Sequence, residues 1–222
     1  MQLESIGQKR MLNSLQELIN EPEIAQIDDP EEIFTTSEVS WNQYEALLAK
    51  LENNSHYHIT YSDGVLEIVS PSFRHEKLKK RLATLIEFYL IKKRIKHTPM
   101  GSPRVKKQLK KVGAEPDECY CIGEEKDIPD LAVEVIITSG SIDKLDIYRR
   151  LGVTEVWLWK TNRLKLYHLR EATLSIFEDN YGYEQVVTSE LLPELDIALL
   201  EQCVFISDQV EAIDAFAQGL KT

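Results

Sequence analysis

The sequence predicts a mixed α/β protein, an α+β sheet flanked by helices, and three observations carry that prediction. Between residues 72 and 160 the hydrophobic pattern reads in the order helix, three strands, helix, strand. The third strand, Leu131 to Thr138, is an apolar run interrupted by one acid, Glu134. Upstream, Tyr57 to Tyr61 and Val65 to Val69 flank Ser62-Asp63-Gly64, and an Asp-Gly pair between two such runs is a hairpin signal.

Each element follows from its own pattern. Glu4 to Asn20 places Met11, Leu12, Leu15, Leu18 and Ile19 on one side of a helix. The acidic stretch Glu21 to Glu32, with Pro22 and Pro30, reads as a linker. Residues 1–30 are therefore expected to be an arm, packed on a partner subunit of a homodimer or loose, and 31–222 a single domain. Ser37 to Leu51 reads as a helix. Ser72 is the expected N-cap of the longest helix, whose Leu78, Leu82, Leu85, Ile86 and Tyr89 recur at helical spacing as far as Lys96. Strands are expected at Thr98 to Val105, Asp117 to Ile122 and Leu131 to Thr138, with Lys106 to Gly113 as a basic hairpin loop. A short helix over Ser139 to Leu151 should stop at Gly152. Strands follow at Thr154 to Lys160, Arg163 to Leu169, Leu174 to Glu178 and Tyr183 to Thr188, and a last helix near Glu211 to Gln218. Trp157 and Trp159 share one strand face and read as core rather than as platforms for stacking bases.

Composition narrows the function classes. The 222-residue chain has ordinary apolar and charged content for a globular protein and no apolar run near the roughly 18 residues of a membrane helix. Its N-terminus lacks the apolar region of a signal peptide, and three cysteines are an odd number for a disulfide framework. A cytoplasmic protein with no membrane partner is expected. Net charge is −11, yet residues 74–111 hold 14 Lys or Arg against two acids, a local +12. Such a patch can attract phosphates on an acidic protein, because charges act over about a Debye length, roughly 8–10 Å.

Two carboxylates carry the chemistry. An ionised Glu134 inside a buried strand is costly without a partner or a metal. Asp117 opens the preceding strand after Pro116, a residue suited to that position. Acids on neighbouring strands can converge on one point, which is how a hard divalent cation such as Mg²⁺ (or Mn²⁺) is held.

The order αβββαβ, with an acid opening one strand and another inside the next, resembles the PD-(D/E)XK restriction-endonuclease-like superfamily. More narrowly, Gly64-Val65-Leu66-Glu67-Ile68-Val69-Ser70-Pro71, His75-Glu76, Glu115-Pro116-Asp117-Glu118-Cys119-Tyr120 and Pro129-Asp130-Leu131-Ala132-Val133-Glu134 resemble the Uma-two family of endonuclease-like proteins. The stretch from Lys144-Leu145-Asp146-Ile147-Tyr148 to Val156-Trp157 extends the likeness, which spans about residues 37 to 200. It implies a restriction-endonuclease-like core with an N-terminal helix and hairpin and additional C-terminal strands. It further implies a Mg-dependent endonuclease acting on DNA, with Asp117 and Glu134 as metal ligands. The superfamily lysine should stand two residues after Glu134, where this chain has Ile136. Lys144 on the next helix is the expected substitute, with His75 and Glu67 completing the catalytic set. Lys106, Lys107, Lys110 and Lys111 are expected to grip the nucleic-acid backbone, aided by Lys77, Lys79, Lys80 and Arg104. The competing expectation, motivated by Ile136 and the net charge, is a nuclease fold that binds nucleic acid or a protein and does not cut.

Overall fold

The computed structural model describes residues 31–52, 56–138, 140–170 and 176–220, all within the compact unit Glu31–Thr222. The expected helix over Glu4 to Asn20 and its linker lie outside the described residues, apart from Glu31 and Glu32.

The described residues form two sheets and five α-helices. Strands β1 (Glu32–Thr36), β2 (His58–Ser62), β3 (Val65–Ser70), β5 (Val105–Lys107) and β6 (Val112–Ala114) form a five-stranded sheet in the order β1-β3-β2-β6-β5. The second sheet, in the order β11-β10-β9-β8-β7-β4, contains β4 (His97–Pro99), β7 (Glu118–Ile122), β8 (Leu131–Ile136), β9 (Glu155–Lys160), β10 (Arg163–Leu169) and β11 (Tyr183–Val186). The helices are α1 (Trp41–Lys50), α2 (Phe73–Lys92), α3 (Lys144–Leu151), α4 (Ile197–Val204) and α5 (Gln209–Gly219). Pairing is antiparallel except between β8 and β9, which run parallel because α3 carries the chain back across the sheet. Helix α2, strands β4, β7 and β8, helix α3 and strand β9 are the expected αβββαβ core.

Local chemistry sets the boundaries. Ser40 and Gln43 form a reciprocal capping box that starts α1. The Ser72 side chain accepts the His75 amide, so α2 begins where its cap predicts. Asp63 and Gly64 both take positive φ (46° and 94°), the type I′ pattern that matches strand twist. Helix α3 is shorter than its apolar pattern suggested. Asp143 caps it through the Leu145 amide, leaving residues 140–143 as a loop, and Gly152 ends it at φ 87°.

Several expectations need correction. Thr98 to Val105 is not one strand: Gly101 (φ 65°) and Pro103 divide it, sending β4 to one sheet and β5 to the other. The basic hairpin that follows therefore belongs to the five-stranded sheet and not to the meander that carries the acids. Strand β1 and helix α4 were missed. Of the strand expected over Leu174 to Glu178, the described residues form turn and the start of a 3-10 helix, Glu178–Asn180.

Alternation along β8 and β9 divides the core in two. Val133, Val135, Trp157 and Trp159 point to one face, where they pack with Leu82, Leu85, Ile86 and Tyr89 of α2 and with α4 and α5. Ala132 and Val156 point to the other, against Ile147, Tyr148 and Leu151 of α3 and Val105 and Val112 of the β5–β6 hairpin. Both tryptophans are fully buried, as their spacing predicted. In the five-stranded sheet, Ile59, Tyr61 and Leu66 pack on Tyr44 and Leu48 of α1. The alternate residues His58, Thr60 and Glu67 consequently share the opposite face.

Candidate functional site

The second face of β8 and the polar face of the five-stranded sheet meet in a cleft of about 400 Å³. Glu118 pairs with Val133, so Asp117, one residue earlier, comes opposite Glu134 and on the same face. Both acids line the cleft and both are buried. The Val135 amide donates to Asp117 Oδ2 at 2.7 Å. His58 Nδ1 stands 3.0 Å from Asp117 Oδ1, and His75 Nε2 stands 3.1 Å from Oδ2. One carboxylate is thus flanked by two imidazoles.

Glu134 is held from the helix that follows it. Tyr148 donates its hydroxyl to Oε1, and Lys144 Nζ lies 3.4 Å from the same oxygen and 3.2 Å from Thr60 Oγ1. Lys144 occupies the first turn of α3 and Tyr148 follows at i+4, so one helix face delivers both groups. Glu67 accepts the Ser141 amide at 2.6 Å and the Ser141 hydroxyl at 3.0 Å. It therefore ties down the loop from which α3, and Lys144, start.

The electrostatics follow from burial set against partners. Burial raises the Asp117 pKa, but hydrogen bonds from His58 and His75 and their charge outweigh it, and the group ends well below the carboxylate range. Burial lowers the His75 pKa, and the Asp117 contact reverses that, leaving His75 above its ordinary value. For Glu134, burial and the neighbouring Asp117 charge prevail over Lys144 and Tyr148, and its pKa is raised. Burial alone would lower the Lys144 pKa; Glu134, Asp117 and Glu67 together raise it and keep the ammonium charged.

The five expected catalytic residues, Asp117, Glu134, Lys144, His75 and Glu67, all line this cleft. Three further members were missed. Thr60 and His58 carry a period-two signal, since His58-Ile59-Thr60-Tyr61 alternates polar and apolar residues. Glu31 was assigned to the linker, yet its Oε1 lies 3.9 Å from His75 Nε2 and its Oε2 accepts the Thr138 amide. Nothing in its local sequence marks it.

The expected phosphate-gripping residues are placed differently. None of Lys106, Lys107, Lys110 and Lys111 lines the cleft. Lys106 pairs with Glu45 at 2.8 Å, and Lys107 donates to the Leu151 carbonyl at the C-terminal end of α3, where a cation suits the helix dipole. The carbonyls of Lys110 and Lys111 accept from Arg150 in the last turn of α3, roughly 9 Å along the helix from Lys144. Arg104 is bound to Glu115 and to two carbonyls of α1 and its C-cap, Leu48 and Leu51; Lys79 pairs with Glu76, and Lys80 with Glu118. Much of the local +12 is therefore spent on intramolecular pairs.

The model of the Uma2 family, described as "Putative restriction endonuclease", matches residues 41–200. The chain belongs to the Uma2 family. Membership supports a nuclease-like function with nucleic acid as the substrate class, on the restriction-endonuclease-like fold. No curated protein matches the chain. The Uma2 match includes His58, Glu67, His75, Asp117, Glu134 and Lys144, while Glu31 and β1 lie outside it. Among the described residues no helix is long and apolar enough to cross a membrane.

Proposed function

We propose that this Uma2 protein is a Mg²⁺- or Mn²⁺-dependent endonuclease that hydrolyses phosphodiester bonds in DNA. The observation that carries the reading is the convergence of Asp117, Glu134 and Lys144 on one side of one cleft, within an αβββαβ core. Among the described residues no group of three or more His, Cys, Asp or Glu forms a ready metal cluster. The donor chemistry nonetheless suits magnesium, which is bound through one or two carboxylates and keeps several waters, and the cleft has room for them. Asp117 and Glu134 would hold the ion. Bound there, a divalent cation would supply an acidified water and neutralise charge on the phosphate.

The chain's own groups do the rest. Lys144, kept protonated, faces the region where negative charge builds during phosphoryl transfer. Tyr148 fixes the Glu134 rotamer, and His58 and His75 fix that of Asp117, so neither acid needs to reorganise during the reaction. Glu67 acts as an anchor for the 140–143 loop and sets the start of α3. The decisive experiment is plasmid nicking by the purified chain. Nicking with Mg²⁺ or Mn²⁺ that EDTA abolishes supports the reading, provided Glu134→Gln removes it. DNA binding without nicking under any divalent ion would favour the non-cutting alternative, which the prior occupation of both acids by Lys144 and the histidines makes physically reasonable.

A further inference from the structure

We propose that Lys160 and Lys165 hold the phosphate backbone of the bound DNA strand, so that the strand leaves the acids across β9 and β10 and not along the Lys106–Lys111 hairpin. This deepens the nuclease reading and rests on it.

The register supplies the argument. Glu134 lies beside Leu158 in the parallel pair β8–β9, and Leu158 lies opposite Lys165 in β9–β10. Glu134, Leu158 and Lys165 thus form one row across three strands, with Lys165 about two strand spacings, roughly 10 Å, from the acid. Lys160 sits two residues beyond Leu158 on the same face, beside Ile136. Both lysines line the cleft and are exposed. Between them the floor is formed by Leu158 and Tyr167, and Asp143, which also lines the cleft, is the carboxylate that acts on Tyr167.

Their pairing state separates them from the basic residues nearby. Arg163, across the β9–β10 turn from Lys160, is bound to Glu201, and Lys106 is bound to Glu45. Among the described residues neither Lys160 nor Lys165 meets a carboxylate at ion-pair distance. In a chain with 37 acidic and 26 basic residues, Lys160 and Lys165 add two unpaired ammonium groups to a cleft that also holds Lys144 and the acids Glu31, Glu67, Asp117, Glu134 and Asp143, so the β9–β10 side offers a phosphate an attraction that the acid-lined side does not. An anion with regularly spaced charges relieves their mutual repulsion. A mononucleotide could reach Lys144 alone; a polynucleotide reaches all three, which makes a strand the ligand of this row.

The test uses the full chain carrying Glu134→Gln, a fluorescein-labelled DNA duplex and anisotropy titrations over a salt series. Adding Lys160→Gln and Lys165→Gln should weaken binding and reduce the salt slope by about 1.8, or about 0.9 for each phosphate no longer neutralised. Lys160→Arg with Lys165→Arg should restore the slope, since charge and reach are kept. Lys106→Gln with Lys110→Gln should leave affinity and slope unchanged. If the β9–β10 pair has no effect while the parent binds, this inference is overturned and the nuclease reading stands. If the hairpin pair carries the slope, the strand runs the other way and the inference is again overturned. A parent that binds no DNA at low salt ends both readings.

Discussion

The two faces of β8 and β9 are built from the same backbone and do opposite work. One is dry: Val133, Val135, Trp157 and Trp159 lie against α2, and the acid on that face of the two strands, Glu155 at the start of β9, is buried with its carboxylate held by the Trp157 indole and the Glu190 and Leu191 amides. The other carries Glu134 and Lys160 into a cleft with Asp117, two imidazoles and Lys144. The charged face is tolerable because each acid has partners placed before any ligand arrives. Those partners come from the facing sheet, from α3 and from His75 in the first turn of α2, whereas the dry face relies on shape and area. Changes on the dry face should therefore damage stability, and changes on the charged face should damage chemistry.

The largest effect should come from the dry face. Trp157→Ala removes a buried indole and its 2.7 Å hydrogen bond to Glu155, and should cost about 3–5 kcal/mol in denaturant unfolding. A loss under about 1 kcal/mol would mean that this face is not the core the packing suggests. On the other face, Glu134→Gln should lower metal-dependent nicking about 10²-fold or more, equivalent to about 2.7 kcal/mol of barrier. Its far-UV circular dichroism should stay unchanged, because the amide oxygen can still accept from Tyr148. Nicking that survives this change would separate the cleft from the reaction.

A subtler change sharpens the comparison between anchor and catalyst. A Cβ on Gly140 would stand 2.6 Å from Glu67 Cδ, so Gly140→Ala must displace that carboxylate from Ser141. We expect a stability loss of about 1–2 kcal/mol by thermal denaturation. Nicking should fall further than Glu67→Gln lowers it, because the loop that starts α3 is disturbed directly. Equal rates for the two variants would argue that Glu67 does more than anchor. The smallest effect should lie outside both faces. Lys106→Gln breaks an exposed pair with Glu45 and should change stability by less than about 0.5 kcal/mol.

Much of this protein was determined by local sequence. The hairpin at Asp63-Gly64, the Ser72 cap, the Gly152 stop and the acid inside the β8 run each follow from near neighbours, because φ preference, capping and side-chain periodicity are local properties. The order αβββαβ followed from them, and with it the likeness to a nuclease fold. Other features were decided only in three dimensions. Thr98 to Val105 looks like one strand until Gly101 and Pro103 divide it between two sheets. Glu31 becomes a neighbour of His75, and His58 of Asp117, across separations of 44 and 59 residues in the chain. The basic segment shows most plainly what a sequence leaves open. Its charge could be counted, but whether each lysine meets an acid, a helix end or solvent depends on which surfaces fold against it. Pairing across sheets is not a periodic property, and only the tertiary structure assigns it.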